Sequence, residues 1–281
     1  MLNFTFKIFW SDFPTTQFTS DMAALESMRQ SFADIDGVGV PMNDNTFLRY
    51  LKARNFNIDK AIAMLRGTIQ WRLDFGIREE GGDGKVLTMA HWMDVLSVEN
   101  STGKMFVRGF DRVGHALLYM RPRHENTNNH DGNLKHLVYS MERAIAILDA
   151  SGRGREKIIL LIDYEGYSLM NSPPMKTSKA VLAILQDHYP ERLHRAYCIR
   201  PPWVVNAFFN VISPFIDPVT RDKIVMVTGS SAAAVGAKLA KEIDVEILEK
   251  CLGGSDDRPF DSKIYLSSPF HIDFLTTLNT L

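Results

Sequence analysis

The stretch from Tyr189 to Val227, YPERLHRAYCIRPPWVVNAFFNVISPFIDPVTRDKIVMV, constrains the fold of this chain more than any other. Two short apolar runs within it, Ala196 to Ile199 and Ile224 to Thr228, have the length and composition of buried strands, and the segment between them reads as a helix. A crossover of this length returns the second strand parallel to the first, with a right-handed connection. Glu191 and Arg192, ahead of one strand, and Lys223, ahead of the other, therefore start from the same sheet edge. Neighbouring strands are about 5 Å apart.

The helix between the strands carries no charge from Pro201 to Ile216. Trp203, Val204, Val205, Phe208, Phe209, Val211, Ile212 and Phe215 are large and apolar, and Asn206, Asn210 and Ser213 form one thin polar stripe at helical spacing. Two placements suit such a cylinder. It is either buried in a large core or is one wall of an apolar cavity, movable because Pro201, Pro202, Pro214 and Pro218 punctuate its ends.

A chain of 281 residues with 45% apolar content can build a sizeable core, as one large or two small domains. Its 32 basic and 33 acidic residues leave a net charge of -1, so no global field favours nucleic acid, and none is expected as a partner. Cys198 and Cys251 lack metal spacing and do not suggest a disulfide framework, which fits a cytoplasmic setting. No run approaches the roughly 18 apolar residues that span a bilayer. Residues 1–20 lack the features of a signal peptide but hold Phe4, Phe6, Phe9, Trp10, Phe13 and Phe18. This aromatic segment fits a strand, a membrane-interface contact or packing on the protein's own surface.

Residues 21–80 read as a helical module. Ser20 or Asp21 caps a helix to about Ala33, Asn43 to Asn45 cap TFLRYLKAR, and Asn57 or Asp59 opens a helix that Gly76 ends. GGDG at 81–84 reads as a linker. Beyond it, Lys104 to Val107 and His115 to Met120 read as paired strands, Leu134 to Leu148 as an amphipathic helix, and Ile158 to Ile162 as a strand covered on both faces. Ser172 with two prolines starts a helix, and Ser230 to Ala240 and Asp244 to Cys251 read as two more.

No catalytic constellation emerges. The histidines are scattered, HExxH and GxSxG are absent, and SGRGRE at 151–156 precedes a strand instead of following one, so it is no nucleotide loop. His188 reads as a solvated helix-end histidine and Asp163 as a turn or cap residue. No cofactor and no metal are expected, and the chain is not read as an enzyme.

FLRYLKARNFNIDKAIAMLRGTIQWRLDFG, YPERL and DPVTRDKI together resemble the CRAL-TRIO family of lipid-binding proteins, in its phosphatidylinositol-transfer branch, over about residues 44–266. The resemblance implies an α/β fold: a helical bundle, then a lobe (residues 90–266, with a tail at 267–281) whose mixed, largely parallel sheet encloses an apolar lipid pocket. Trp203 to Ile216 becomes its gate helix, with Phe208, Phe209, Ile212 and Phe215 facing pocket or membrane. By the same resemblance Arg54, Glu191, Arg192 and Lys223 hold an inositol phosphate headgroup. Asn55 stands where a second basic residue often follows Arg54, and Ile158 and Leu160 replace the hydroxyls of phosphatidylcholine-binding members. The expected activity is non-catalytic binding and transfer of phosphatidylinositol, by a cytoplasmic protein in transient contact with membranes. A carrier of a retinoid, tocopherol or sterol precursor, and a protein-interaction or GTPase-regulatory module, are the alternatives.

Overall fold

The computed structural model describes residues 15–80, 86–168, 174–216 and 218–280. The chain divides into two compact units, Met1–Met89 with Ala183–Glu191, and Ala90–Leu182 with Arg192–Leu281. The aromatic segment before Thr15 and the GGDG linker lie outside the described residues.

The first unit is built on helices α1 (Thr15–Ser31), α2 (Asp44–Ala53) and α3 (Ile58–Phe75). The Asn43 side chain accepts from the Thr46 amide and Asn57 from the Lys60 amide, so each satisfies a donor that the first helical turn leaves open. Gly76 ends α3 at φ +84°, a left-handed conformation that costs a glycine little. Leu25, Met28, Phe32, Phe47, Leu51 and Leu65 close the core between the helices. α1 begins at Thr15, one turn and more before Ser20 and Asp21, because nothing from Thr15 onward breaks a helix and Asp21 is buried instead of standing at an end. Two short strands, β1 (Arg78–Glu80) and β2 (Val86–Thr88), pair antiparallel around residues 81–85.

Residues 183–191 complete this unit. The His188 ring stacks on Trp71 at 4.0 Å between centroids and 6° between planes, and its Nδ1 lies 3.2 Å from the Thr68 hydroxyl. His188 is thus half-buried against an aromatic face, and burial holds its pKa below the ordinary histidine value. It is not the solvated histidine expected from sequence.

The second unit carries a five-stranded sheet in the order β3 (Met105–Phe110), β4 (Ala116–Met120), β5 (Ile158–Asp163), β6 (Leu193–Ile199) and β7 (Ile224–Val227). β3 and β4 form an antiparallel hairpin and all later neighbours are parallel. The crossovers are α5 (His130–Ala150), α6 (Met175–His188) and α7 (Trp203–Ile212), the last followed by a 3-10 turn and α8 (Pro218–Asp222); α4 (Met93–Glu99) precedes the sheet. Each crossover advances one strand in the same direction, so right-handed connections place them all on one face. Tyr119 and Tyr197 mark the other face: their hydroxyls reach the Ile247 carbonyl at 3.4 Å and Glu242 at 2.8 Å, beyond α9 (Ala232–Leu239).

Residues 244–251 do not form the expected α-helix. Their backbone bonds to a later segment instead, with Ser255 donating to Val245 and Asp256 to Leu248, and only Lys250–Leu252 makes a 3-10 turn. Asp163 is the turn residue expected, its Oδ1 accepting the Glu165 amide, and it is also the buried partner of Arg200 at 2.8 Å.

Candidate functional site

The parallel register sorts the sheet's side chains into two faces. Leu161 pairs with Tyr119 and Tyr197, so Leu160, Ile162 and their partners point the other way, towards the crossover helices. On that crossover face Ala116, Leu118, Ile158, Ala196 and Cys198 are buried, while Met120, Leu160, Ile162, Ile224 and Met226 are only half-buried. A side chain of a central strand, hemmed in by strands on both sides, can meet a solvent probe only from above. Met120, Leu160 and Ile162, on β4 and β5 with strands on both sides, are therefore open from above, while Ile224 and Met226 stand on the edge strand β7 beside them.

The helices above agree with this. α5 lies close over β3 and β4, whereas α6 and α7 make no comparable backbone approach to any strand among the described residues. Val181 and Leu182 of α6 and Val204, Val205 and Phe209 of α7 are half-buried, neither packed shut nor fully in solvent. Trp203 is 79% and Val211 69% exposed, so α7 presents large apolar groups outward as well. Among the described residues this helix is thus half-buried on one side and exposed on the other. The side chains of Phe208, Ile212 and Phe215 lie outside the described residues.

Of the residues on this face, sequence reasoning named Ile158 and Leu160; Ile158 is sealed beneath the sheet's neighbours and Leu160 is half-open from above. Ile162, Met120, Ile224 and Met226 were missed. The signal for Ile162 was present in the two-residue period from Leu160.

The four headgroup candidates fall in different places. Arg54, the half-buried C-cap of α2, and Glu191, held at φ +59°, belong to the first unit. Arg192 and Lys223 belong to the second, ahead of β6 and β7 as the crossover required. The register is offset, however: Ala196 pairs with Ile224, so Lys223 stands level with Arg195 and Arg192 lies three residues further back. Three residues of strand span about 10 Å. Arg192 is only 7% exposed, and its Nη1 donates to the Glu156 carbonyl at 2.9 Å. Lys223 is half-buried.

A second charged group closes the far end of the sheet. Arg121 and Arg108 both meet Glu249, Arg108 also faces Asp256 at 3.3 Å, and Arg200 joins Asp163. With Arg108 fully buried, desolvation pulls its pKa down while Asp256 pulls it up, the mark of a charge held in place by its partners.

Fold and site define a class: a helical module and an α/β lobe whose central sheet keeps one apolar face open. The chain belongs to the CRAL/TRIO domain family, whose model matches residues 100–254, with the model of its N-terminal domain matching residues 24–67. It is 36% identical over 184 residues to the phosphatidylinositol transfer protein PDR17 of Saccharomyces cerevisiae, covering 64% of this chain and 51% of that protein. It is 38% identical over 177 residues to the CRAL-TRIO domain-containing protein C23B6.04c of Schizosaccharomyces pombe, covering 63% of this chain and 16% of that protein. The chain thus spans about half, or much less, of the length of these relatives. The crystal structure of Sfh5 shares the fold, with a TM-score of 0.66 and 18% identity over 93% of this chain and 96% of that one.

Proposed function

We propose that this chain binds a membrane lipid in the space over Met120, Leu160, Ile162, Ile224 and Met226 and exchanges it between membranes without catalysis, and that the lipid is phosphatidylinositol. The observation that carries the reading is the half-buried set Met120, Leu160 and Ile162 on the flanked strands β4 and β5, where a protein without a ligand would close its core. The exposed Trp203 and Val211 supply a surface that a bilayer interface would cover. Among the described residues no helix is long and apolar enough to cross a membrane, so contact is peripheral in this reading. The choice of lipid rests on Arg54, Glu191, Arg192 and Lys223 and on relatives such as PDR17, named for transferring phosphatidylinositol.

The physics assigns selection to the headgroup. Burying a methylene from water is worth about 0.8 kcal/mol, but a lipid drawn from a bilayer already has its tails in hydrocarbon, so the tails discriminate little. Phosphate contacts from arginine and lysine are charge-assisted and stronger away from bulk water. Leu160 offers no hydroxyl to a second, choline-bearing headgroup, which favours phosphatidylinositol over phosphatidylcholine.

The test is transfer of labelled lipid between vesicles. Phosphatidylinositol should move and phosphatidylcholine poorly, and Lys223→Ala should cut phosphatidylinositol transfer tenfold to a hundredfold, the range of one charge-assisted contact of about 1.5 to 3 kcal/mol. Arg192→Ala should do the same, but its bond to Glu156 makes it also a fold residue, so Lys223 is the cleaner probe. Native mass spectrometry of protein from a lipid-rich host identifies the ligand independently. A retained retinoid or sterol would overturn the choice of phosphatidylinositol; no retained lipid and no transfer would overturn the reading altogether.

A further inference from the structure

At the C-terminal level of the parallel strands, the residues that stand opposite one another form a row across the whole sheet: Met105 on β3, Met120 on β4, Ile162 on β5, Cys198 on β6 and Met226 on β7. Opposed residues share a face, so the row points with Ile162 towards the crossover helices. All but Ile162 carry sulfur. The chain has 13 methionines and 2 cysteines among 281 residues, too few for composition alone to gather these into one row. The adjacent row on the same face, Val107, Leu118, Leu160, Ala196 and Ile224, has none.

Met105, Met120 and Met226 are half-buried and Cys198 is buried. Met105 and Met226 stand on the two edge strands, so Met120, with strands on both sides, is the thioether open from above. In a closed core a methionine is a gap filler; one open on its outer side presents a polarisable sulfur to whatever lies over it. Cys198 is the poorer reductant, because burial pushes its pKa up to about 11 and the thiolate, not the thiol, attacks a peroxide. The row also lies where an acyl tail would run. With Arg192 and Lys223 ahead of β6 and β7, Met226 stands three residues beyond Lys223, about 10 Å along the strand, at the level of a tail and not of a headgroup.

We propose that Met120, at the open part of this sulfur row, reduces hydroperoxidised lipid held over the sheet, an inference that rests on the lipid reading above. The thioether sulfur attacks the outer oxygen of the hydroperoxide, the O–O bond breaks, and its electron pair leaves with the inner oxygen as an alkoxide. The hydroperoxide's own proton passes to that alkoxide. One hydroperoxide and one methionine thus give one lipid alcohol and one methionine sulfoxide, the peroxide reduced and the sulfur oxidised by the same electron pair. Met105 and Met226, at the edges of the row, are later acceptors. The sulfoxide is polar and sits beside Leu160 and Ile162, which offer its oxygen no hydrogen bond, so a tail above it is disfavoured. Sulfoxide reductases return methionine sulfoxide to methionine, the class of reaction that would close the cycle.

The experiment exposes the full chain to phosphatidylcholine vesicles carrying hydroperoxidised linoleoyl phosphatidylinositol, or to aqueous hydrogen peroxide, and locates sulfoxides by peptide mass spectrometry. From the vesicles Met120 should be oxidised severalfold faster than Met175, 54% exposed, and Met93, 36% exposed; with hydrogen peroxide the order should reverse. Lipid alcohol should appear mole for mole with sulfoxide, and Met120→Leu, a volume-conserving change whose folding thermal melts check, should form it severalfold more slowly. Protein oxidised at Met120 should hold intact phosphatidylinositol about tenfold to a hundredfold more weakly, the effect of one unsatisfied polar group in an apolar site. Oxidation of Met175 ahead of Met120 by vesicles whose intact phosphatidylinositol the protein does take up, or undiminished alcohol from folded Met120→Leu, overturns this inference and leaves the lipid reading standing. No uptake of either lipid overturns both. Unchanged retention by protein fully oxidised at Met120 overturns the placement of that sulfur beneath the lipid.

Discussion

Helices α5 and α7 cover the same face of the sheet, and the more apolar of the two is the less buried. α5 contains His136, Glu142 and Arg143, all at 3% exposure or less. α7 has no charge, yet Trp203 and Val211 stand 79% and 69% exposed. The polar groups of α5 are tolerated because they have partners: Arg143 donates to the Tyr139 hydroxyl at 2.9 Å and the Tyr265 carbonyl at 2.8 Å, and His136 meets Asn100 at 3.0 Å. Burial here follows position and partner, not hydrophobicity. Apolar area left in water forgoes about 25 cal/mol per Å², and none of the described residues covers Trp203 or Val211 of α7.

The sharpest way to break that comparison is to charge both helices. Ala144→Asp places a carboxylate in the sealed contact of α5 and should cost more than about 4 kcal/mol, enough to unfold many domains. Val211→Asp should stay within about 0.5 kcal/mol of the parent in the same melts. Equal losses would make α7 an ordinary core helix.

A smaller effect comes from pH. His136 is fully buried, and desolvation first, then the Lys104 charge, push its pKa down to about 3. The unfolded chain takes up that proton near pH 6.5 while the folded chain does not, so stability is full above about 6.5 and falls as the pH drops from there towards 3. Each pH unit in that window costs about 1.4 kcal/mol, or about 2 to 3 kcal/mol by pH 4.5. Urea midpoints of His136→Gln should flatten over the same window. Parallel slopes for parent and variant would refute the assignment.

The two faces of β5 offer a comparable contrast. Leu161→Phe, on the sealed face, should cost about 1 to 3 kcal/mol through overpacking. Leu160→Phe, one residue away and facing the open space, should cost less than about 1 kcal/mol but reduce the lipid retained on purification. The smallest effect on stability belongs to Trp203→Ser, expected to leave the melting midpoint unmoved while weakening vesicle sedimentation severalfold.

Much of the fold was legible before any coordinates. The parallel β6–α7–β7 unit, the asparagine caps at 43 and 57 and the glycine at 76 follow from period, charge gaps and backbone chemistry spread over a few residues. The readings that failed depended on remote partners. Residues 244–251 have a helix-like pattern, but their backbone is claimed by residues 255 and 256. His188 looks like a helix-end residue in water until Trp71, far away in sequence, lies against it.

By itself the amino-acid sequence determined the main helices and the strands of the parallel sheet, their order and the parallel crossover, because these rest on local periodicity and on the handedness of the chain. It marked Leu160 and the uncharged 203–216 helix as unusual, and it put Arg192 and Lys223 ahead of adjacent strands. Only the tertiary structure decided that Leu160 is half-open while Ile158 is sealed, that Arg192 lies three residues behind the level of Lys223, and that His188 stacks on Trp71. Accessibility and juxtaposition depend on what covers a residue and on the register between strands far apart in sequence, and a pattern a few residues long carries neither.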